Sequence, residues 1–139
     1  MENFIGSWTH VKSENLDDWL VALEVNVLVR TFVNSSNPTI SFEQAEDGTV
    51  TYKCAMLFST HVMSFKLGEE FEFHEPLTKV NVKSTITIEN GCLVHSQTDP
   101  TSGKHVRIVR ELKGDTMYSK MFVDDEHECV RIFQKQVAT

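Results

Sequence analysis

Residues 79–98 read KVNVKSTITIENGCLVHSQT, and this stretch decides the fold class. Asn90-Gly91 is a strong signal for a β-hairpin, because the two central residues of a type I′ turn need positive φ and these residue types tolerate it. A run with alternating β-branched residues precedes the pair, and a second strand-like run follows it from 92 to 98. The stretch therefore predicts two antiparallel strands joined by a tight turn.

Further short strands with turns between them are predicted on both sides of this hairpin. Their ranges are 40–42, 49–56, 61–66, 70–74, 104–112, 116–123 and 128–134. Asp47-Gly48 and Leu67-Gly68 mark two of the turns. Many successive short strands with hairpin-length connections predict an antiparallel meander, closed as a barrel or folded as a sandwich.

One helical pattern lies near the start of the chain. Apolar residues follow the i, i+3, i+4, i+7 spacing at Leu16, Trp19, Leu20 and Leu23. Asn15 is placed as the N-cap residue of this helix. A second short helix is predicted over 26–33, and the Asn-Ser-Ser-Asn-Pro sequence at 34–38 ends it. The pair has the size of a lid over one end of the sheet.

Two arginines share strand faces with apolar residues. Arg110 alternates with Val106 and Ile108, and Arg131 alternates with Cys129 and Phe133. Side chains two apart in a strand share a face, so both guanidiniums are candidates for the interior, where an unpaired charge is costly. An anion must therefore come from the protein or from a ligand. By alternation alone Arg131 faces either the interior or the solvent, and an inward Glu is an alternative partner for Arg110.

Composition limits the class of protein. The chain has 139 residues, 15.9 kDa and a formal charge of −7, which fits one soluble globular domain over 1–139 and argues against a nucleic-acid partner. The start of the chain lacks the pattern of a signal peptide, and no apolar run approaches a membrane span. Three widely spaced cysteines, Cys54, Cys92 and Cys129, indicate reduced thiols and a cytoplasmic protein.

Motifs of catalysis and metal binding are not found. Six histidines occur without His-x-His or HExxH spacing, and no serine or cysteine lies in a nucleophile elbow. We therefore expect no enzymatic activity, no bound metal and no cofactor.

A family resemblance extends from about Phe4 to Lys135. The matching segments, in order, are Phe4-Ile-Gly6-Ser-Trp8, Ser13-Glu-Asn-Leu-Asp-Asp-Trp19, Pro38, Phe65-Lys-Leu-Gly-Glu-Glu-Phe71, Val82-Lys-Ser84, Leu93-Val-His95, Arg110-Glu-Leu112 and Arg131-Ile-Phe133. Together they resemble the intracellular lipid-binding proteins, and most of all the cytosolic fatty acid-binding proteins. The last segment stands where that family has Arg-x-Tyr.

This resemblance implies a ten-stranded antiparallel up-and-down β-barrel, calycin-like and capped by a helix-turn-helix lid. The implied function is that of a non-enzymatic carrier for a long-chain fatty acid, with the carboxylate held by Arg110 and Arg131. Phe133 takes the position of the family tyrosine and removes one hydroxyl from that site.

The resemblance also implies positions for the rest of the cavity. Leu16, Trp19 and Leu20 are expected under the first helix, Leu28 and Phe32 on the second, and Phe58 in the portal turn. Gln97, Ile108, Ser119 and Met121 are expected near the head or middle of the ligand.

Two alternatives stay open. Retinol binders of the family have glutamines at the two arginine positions, so the arginines favour an acid, and a retinoic acid-type carrier on the same fold is one alternative. The other is a β-barrel interaction module whose arginines are internally paired. We expect a monomer that makes transient membrane contact through the lid. Residues 15–35 carry a net charge of about −2, which does not favour docking on anionic membranes. We therefore expect the ligand to be released by diffusion or through hydrophobic contact.

Overall fold

The computed structural model describes residues 1–137, which form two α-helices and ten β-strands. Helix α1 is Leu16–Ala22 and α2 is Val27–Ser35, and a short 3₁₀ turn, Glu2–Phe4, precedes the first strand. The strands are β1 Gly6–Glu14, β2 Thr39–Gln44, β3 Val50–Met56, β4 Ser59–Phe65, β5 Phe71–His74, β6 Asn81–Glu89, β7 Cys92–Thr98, β8 His105–Lys113, β9 Thr116–Val123 and β10 His127–Lys135.

The strands form one antiparallel sheet that curls into a nearly closed barrel. Their order is β4-β3-β2-β1-β10-β9-β8-β7-β6-β5, so each strand lies beside its neighbour in sequence except where β1 meets β10. Strands β4 and β5 are the two edges. The expected ten-stranded up-and-down barrel with a helical lid is confirmed.

Strand β1 is the one strand that the sequence pattern did not predict. Its alternation is broken by a β-bulge between His10 and Lys12, where the pairing with β10 shifts by one residue. A bulge moves the following side chains to the opposite face, so Lys12 is exposed although Trp8, four residues before it, is buried. The Trp8 indole N–H donates to the carbonyl of Phe4 at 3.0 Å, which fixes the start of the strand.

The hairpin turn at 90–91 has the predicted geometry. Asn90 and Gly91 have φ of 52° and 79°, and Glu89 pairs with Cys92 directly across the turn. This two-residue connection sets the register of β6 and β7, which places Ile86 and Leu93 in the barrel core.

The lid is held by polar contacts within and below it. The Asp17 carboxylate accepts from Asn34 Nδ2 at 2.8 Å and from Arg30 Nε at 3.2 Å, which joins the two helices. Lys104 Nζ, from the turn before β8, donates to the carbonyl of Ala22 at 2.9 Å. The lid is therefore attached to the barrel at the carboxyl end of α1.

The helix caps differ in part from the prediction. Asn15 occupies the N-cap position of α1, as predicted, and its carbonyl accepts from the Trp19 N–H at 3.1 Å, but its φ is left-handed at 59° and its side chain makes no cap hydrogen bond. The second helix, α2, has a side-chain cap: Asn26 Oδ1 accepts from the Val29 N–H at 3.0 Å. Within residues 1–137, no helix is long and apolar enough to cross a membrane.

Two apolar clusters enclose the barrel interior. One is built around Trp8, Phe42 and Leu93. The other lies between the lid and the barrel rim and contains Leu20 and Cys129. Buried residues of both clusters reach the wall of a cavity between them.

The hairpin turn generates the first testable prediction. Gly91 has open space where a Cβ would lie, so Gly91→Ala adds only the backbone cost of a left-handed conformation. We expect the free energy of unfolding in urea to fall by about 1–2 kcal/mol. Gly91→Asn is the matched control, because Asn tolerates this conformation, and it should lose clearly less. Equal losses in the two variants would contradict this account of the turn.

Candidate functional site

A cavity of ≈ 180 Å³ lies inside the barrel below the lid. Most of its wall is apolar, with Trp19 and Leu23 from the lid and Ile40, Met63 and Ile108 from the strands. A second cavity of ≈ 310 Å³ lies between the lid and the turns that follow β5 and β7. Leu23, Leu77, Gln97 and Val106 line both cavities, so these side chains lie between the two spaces.

Three adjacent strands place two arginines in one row of the sheet. Arg110 of β8 pairs with Ser119 of β9, and Ser119 also pairs with Arg131 of β10. Residues directly opposite each other in a ladder face the same side, and all three side chains line the cavity. Since strands lie about 4.8 Å apart, the two arginine backbones are about 10 Å apart with a serine between them. The long guanidinium side chains can therefore reach one anion from two sides.

Arg110 is buried without a counterion. Its side chain is only 7% exposed, Nε has no hydrogen-bond partner, and no carboxylate within residues 1–137 forms an ion pair with it. Its guanidinium carbon lies 5.7 Å from the ring centre of Phe42 and 5.5 Å from that of Tyr52. Burial lowers the pKa of Arg110 from its ordinary value, but an arginine remains protonated at any accessible pH. The interior thus contains a positive charge that aromatic rings alone compensate.

Arg131 is positioned by a chain of side chains from β1. Arg131 Nε donates to Ser13 Oγ at 2.9 Å, and Ser13 Oγ lies 2.7 Å from His10 Nε2. Asn37 Oδ1 lies 2.9 Å from His10 Nδ1 and can only accept, so Nδ1 carries the proton, and Nε2 of the neutral ring then accepts from the Ser13 hydroxyl. Burial lowers the pKa of His10, which favours this neutral tautomer. Arg131 Nη2 has no partner and remains free for another acceptor.

The other ionisable groups around the arginines are neutral. Burial raises the pKa values of the Tyr52 hydroxyl and the Cys54 thiol, so neither supplies an anion. Burial also lowers the pKa of His95 to about 3, and the positive charge of Arg110 acts in the same direction. The arginine end of the cavity therefore carries net positive charge and lacks an internal anion.

Phe133 fills the position beside these groups without adding a hydrogen bond. It is buried, packs edge-on against His10 at 5.5 Å between ring centres, and lies 6.0 Å from the guanidinium carbon of Arg131. Tyr52 supplies the one hydroxyl of an aromatic side chain on the cavity wall.

The structure places most of the predicted site residues together. Eight of the thirteen lie on the cavity wall: Arg110, Arg131, Phe133, Trp19, Gln97, Ile108, Ser119 and Met121. Arg131 faces the interior, which settles the direction that alternation had left open. Its neighbours on the same face, Cys129 and Phe133, are buried, and Arg131 itself is half-buried.

Five residues predicted for the lid, the second helix and the portal turn do not line this cavity. Leu16 and Leu20 are buried in the apolar cluster between the lid and the barrel rim. Leu28 and Phe32 are exposed, because α2 turns Val29 and Val33 toward the barrel instead. Phe58 is 84% exposed in the turn between β3 and β4.

Several polar residues of the wall were not predicted. Tyr52 and Cys54 follow the inward alternation of β3, and His95 lies two residues before Gln97 on β7. Alternation along these strands was a usable signal for all three. Glu75 and His61 also line the cavity, but Glu75 belongs to a turn, where no strand pattern applies.

Within residues 1–137, no group of His, Cys, Asp or Glu side chains is arranged to hold a metal ion, and the three cysteines are free thiols.

A nearly closed antiparallel barrel with a helical lid and a charged, largely apolar cavity defines a ligand-binding β-barrel. The model of the lipocalin / cytosolic fatty-acid binding protein family matches residues 5–136. The chain therefore belongs to this family, which consists of carriers and not of enzymes.

Individual relatives are similar over nearly their whole length. Fatty acid-binding protein homolog 1 of Echinococcus granulosus is 35% identical over 135 residues, covering 97% of this chain and 98% of the relative. Human fatty acid-binding protein 9 is 35% identical over 117 residues, covering 84% and 86%.

Solved structures show the same similarity in three dimensions. The crystal structure of Echinococcus granulosus fatty-acid-binding protein 1 has a TM-score of 0.92 at 34% identity and covers 99% of this chain and 100% of the other. The Schistosoma mansoni fatty acid binding protein in complex with arachidonic acid has a TM-score of 0.89 at 30% identity, with coverage of 99% and 98%.

The Ser13 link to Arg131 can be tested by mutation. Ser13→Ala leaves Arg131 Nε without its acceptor and His10 Nε2 without its donor. We expect the free energy of unfolding to fall by about 1–3 kcal/mol. Ser64→Ala, at an exposed serine of β4, is the control and should change it by less than about 0.5 kcal/mol. A Ser13→Ala loss no larger than that of the control would show that the hydroxyl does not hold Arg131.

His95 predicts a pH dependence of stability. Its pKa is about 3 in the folded protein and about 6.5 in the unfolded chain, so the unfolded state binds more protons between these values. The stability that neutral His95 contributes is therefore present above about pH 6.5 and is lost as the pH falls toward about 3. Urea unfolding should show a shallower acid loss for His95→Leu than for the wild type. His127→Leu, at an exposed histidine, should follow the wild type. Parallel curves for all three proteins would contradict the burial of a neutral His95.

Proposed function

We propose that this protein is a non-enzymatic carrier that binds one long-chain fatty acid inside the barrel, with the carboxylate between Arg110 and Arg131. One observation carries the proposal: two interior arginines flank Ser119 in one row, and each has a guanidinium nitrogen without a hydrogen-bond partner. A carboxylate accepts two parallel hydrogen bonds from a guanidinium and so supplies the missing anion. The names of the relatives and the arachidonic acid complex of the Schistosoma mansoni protein support a fatty acid as the source of that carboxylate.

The energetics favour a ligand with a long apolar tail. Each buried methylene contributes roughly 0.8 kcal/mol, so a tail of about 15 methylenes contributes on the order of 12 kcal/mol. Loss of ligand freedom opposes this by at least about 4 kcal/mol. The remainder is at most about 8 kcal/mol, which corresponds to a dissociation constant of about 1 μM. In this account the tail supplies most of the affinity and the arginines fix the orientation.

Tyr52 is proposed to take over the role of the hydroxyl that Phe133 lacks. Its ring lies near Arg110, and burial keeps its hydroxyl protonated. A protonated phenol donates a hydrogen bond to a carboxylate, as a tyrosine at 133 would. The headgroup site is thus rearranged toward β3.

The alternatives to this function differ in support. An interaction module with internally paired arginines would need a carboxylate at Arg110 or Arg131, and residues 1–137 supply no such ion pair. A retinoic acid-type carrier uses the same headgroup, and competition between retinoic acid and a fatty acid for the purified protein distinguishes the two ligands.

We further propose that residues 1–139 act as a single domain, as a cytoplasmic monomer with reduced thiols.

Substitution of the arginines tests the headgroup assignment. Arg110→Gln and Arg131→Gln should each weaken binding of a long-chain fatty acid about tenfold or more, because each removes a charge-assisted hydrogen bond. Calorimetric titration of delipidated protein provides the measurement, and circular dichroism checks that the barrel is retained. Arg107→Gln is the matched control, since Arg107 is on the same strand but contacts the Phe122 ring outside the cavity. Unchanged affinity in both interior variants would contradict the assignment.

Contact with membranes is proposed to be apolar. Leu28 is 81% exposed on the lid and Phe58 is 84% exposed in the β3–β4 turn, whereas the one lid arginine, Arg30, pairs with Asp17. We expect the rate of fatty-acid transfer to vesicles to change little with the fraction of anionic lipid. The double substitution Leu28→Ser and Phe58→Ser should slow any transfer that depends on vesicle concentration. A rate that rises steeply with anionic lipid would contradict apolar contact.

A further inference from the structure

A second polar site lies on the cavity wall away from the arginines. Glu75 follows β5, and its carboxyl group lines the same cavity as Arg110 and Arg131. Glu75 Oε1 accepts the N–H of Leu77 at 2.9 Å. Its backbone N–H donates to Val80 at 2.9 Å, and its carbonyl accepts from Lys79 at 2.7 Å. The turn therefore holds the carboxyl group in place.

No cation compensates this carboxyl group. Within residues 1–137, Glu75 forms no ion pair, and burial raises its pKa from the ordinary value. His61, also on the cavity wall, and His74 are the nearest groups able to carry positive charge. A polar group facing an apolar cavity without a full set of partners is destabilising unless it meets water or a ligand.

Gln97 completes a pair of hydrogen-bond acceptors. Its side chain is buried on the cavity wall that Glu75 also lines, and hydrogen bonding from Gln97 lowers the pKa of the Glu75 carboxyl group against the effect of burial. A carboxylate only accepts, so the Gln97 amide N–H₂ must be the donor in that contact. This leaves Glu75 Oε2 and the Gln97 side-chain oxygen as acceptors. Only one of the two Gln97 amide N–H groups is used, so the pair offers two acceptors and one donor, and a ligand hydroxyl group, which both donates and accepts, matches it.

Strand register gives the separation of this pair from the headgroup site. Arg110 pairs with Leu93 and Val106 pairs with Gln97, so Gln97 lies four residues along β7 from the row of Arg110. At about 3.3 Å per residue this is about 13 Å. An extended alkyl chain advances about 1.3 Å per carbon for tetrahedral C–C bonds of about 1.5 Å, so the separation corresponds to roughly ten carbons.

We infer that Glu75 and Gln97 form a subsite for a hydroxyl group in the middle of the ligand chain, and that the preferred ligand is a mid-chain hydroxy fatty acid. This inference rests on the proposed function, because the carboxylate must be at the arginines for the hydroxyl group to reach Glu75. A site built to bond a hydroxyl group discriminates against the analogue that lacks it, since its polar groups are then left unpaired.

Three ligands with the same carbon number test the inference. Stearate, 12-hydroxystearate and 2-hydroxystearate are titrated calorimetrically into delipidated protein. The 12-hydroxy acid should bind roughly tenfold more tightly than stearate, the value of one hydrogen bond to a charged group. The 2-hydroxy acid has its hydroxyl group beside the carboxylate and should show no such gain. Without a partner, a hydroxyl group on the tail would weaken binding in an apolar cavity.

Substitution of Glu75 identifies the subsite. Glu75→Leu should reverse the preference, so that stearate binds more tightly than 12-hydroxystearate. Glu75→Gln keeps an acceptor oxygen and should keep part of the preference. This conservative variant provides the test if Glu75→Leu does not fold. Glu72→Leu, at an exposed glutamate of β5, should keep the full preference.

The outcomes separate this inference from the proposed function. If stearate binds and the 12-hydroxy acid binds no more tightly, the subsite is overturned and the carrier function stands. If the 12-hydroxy preference survives Glu75→Leu, Glu75 is not the partner and the inference is likewise overturned. If none of the three acids binds to folded protein, both the function and the inference are overturned.

Discussion

The uncompensated positive charge of Arg110 and Arg131 is the constraint on which the rest of the site depends. A buried guanidinium without an anion is costly, and the protein surrounds both with groups that stay neutral. His10 and Ser13 hold Arg131, and aromatic rings hold Arg110, but neither arrangement neutralises the charge. The empty barrel is therefore less stable than it would be with a counterion, and in the proposed function a bound carboxylate supplies that counterion.

The fold makes this arrangement possible. A ten-stranded barrel is wide enough to leave space in its interior, whereas a narrower barrel is filled by its own side chains. The ladder from β8 through β9 to β10 brings residues 21 apart in sequence into one row on either side of Ser119. The two apolar clusters lie at opposite ends of the cavity wall, so the charged row is enclosed without being filled.

Much of the fold was predictable because its signals are local. Asn90-Gly91 specifies its own turn geometry, and alternation places Arg110 inside from its immediate neighbours. Strand β1 escaped the pattern because a bulge interrupts its alternation at Val11. Asn15 is the N-cap residue that the sequence predicted, but it adopts a left-handed conformation between β1 and α1 and its side chain makes no cap hydrogen bond.

The site was less predictable because it depends on side chains from distant segments. The rotation of α2 about its axis, which exposes Leu28 and Phe32 and buries Val33, is set by packing on the barrel and not by the helix alone. Glu75 reaches the cavity from a turn, whose direction no periodicity encodes. The orientation of Arg131 could not be predicted from its neighbours in sequence, because its side chain contacts Ser13, 118 residues away.

The charge state of the bound headgroup tests the central claim most directly. Palmitate labelled with ¹³C at the carboxyl carbon, bound to the protein, reports its ionisation through the carbonyl chemical shift as the pH is lowered. Two arginines at the carboxylate should hold its pKa well below the value of about 4–5 for an ordinary carboxyl group, as opposite charges do. A bound carboxyl group that titrates at or above that value would mean that the head lies elsewhere and that the arginines have another purpose.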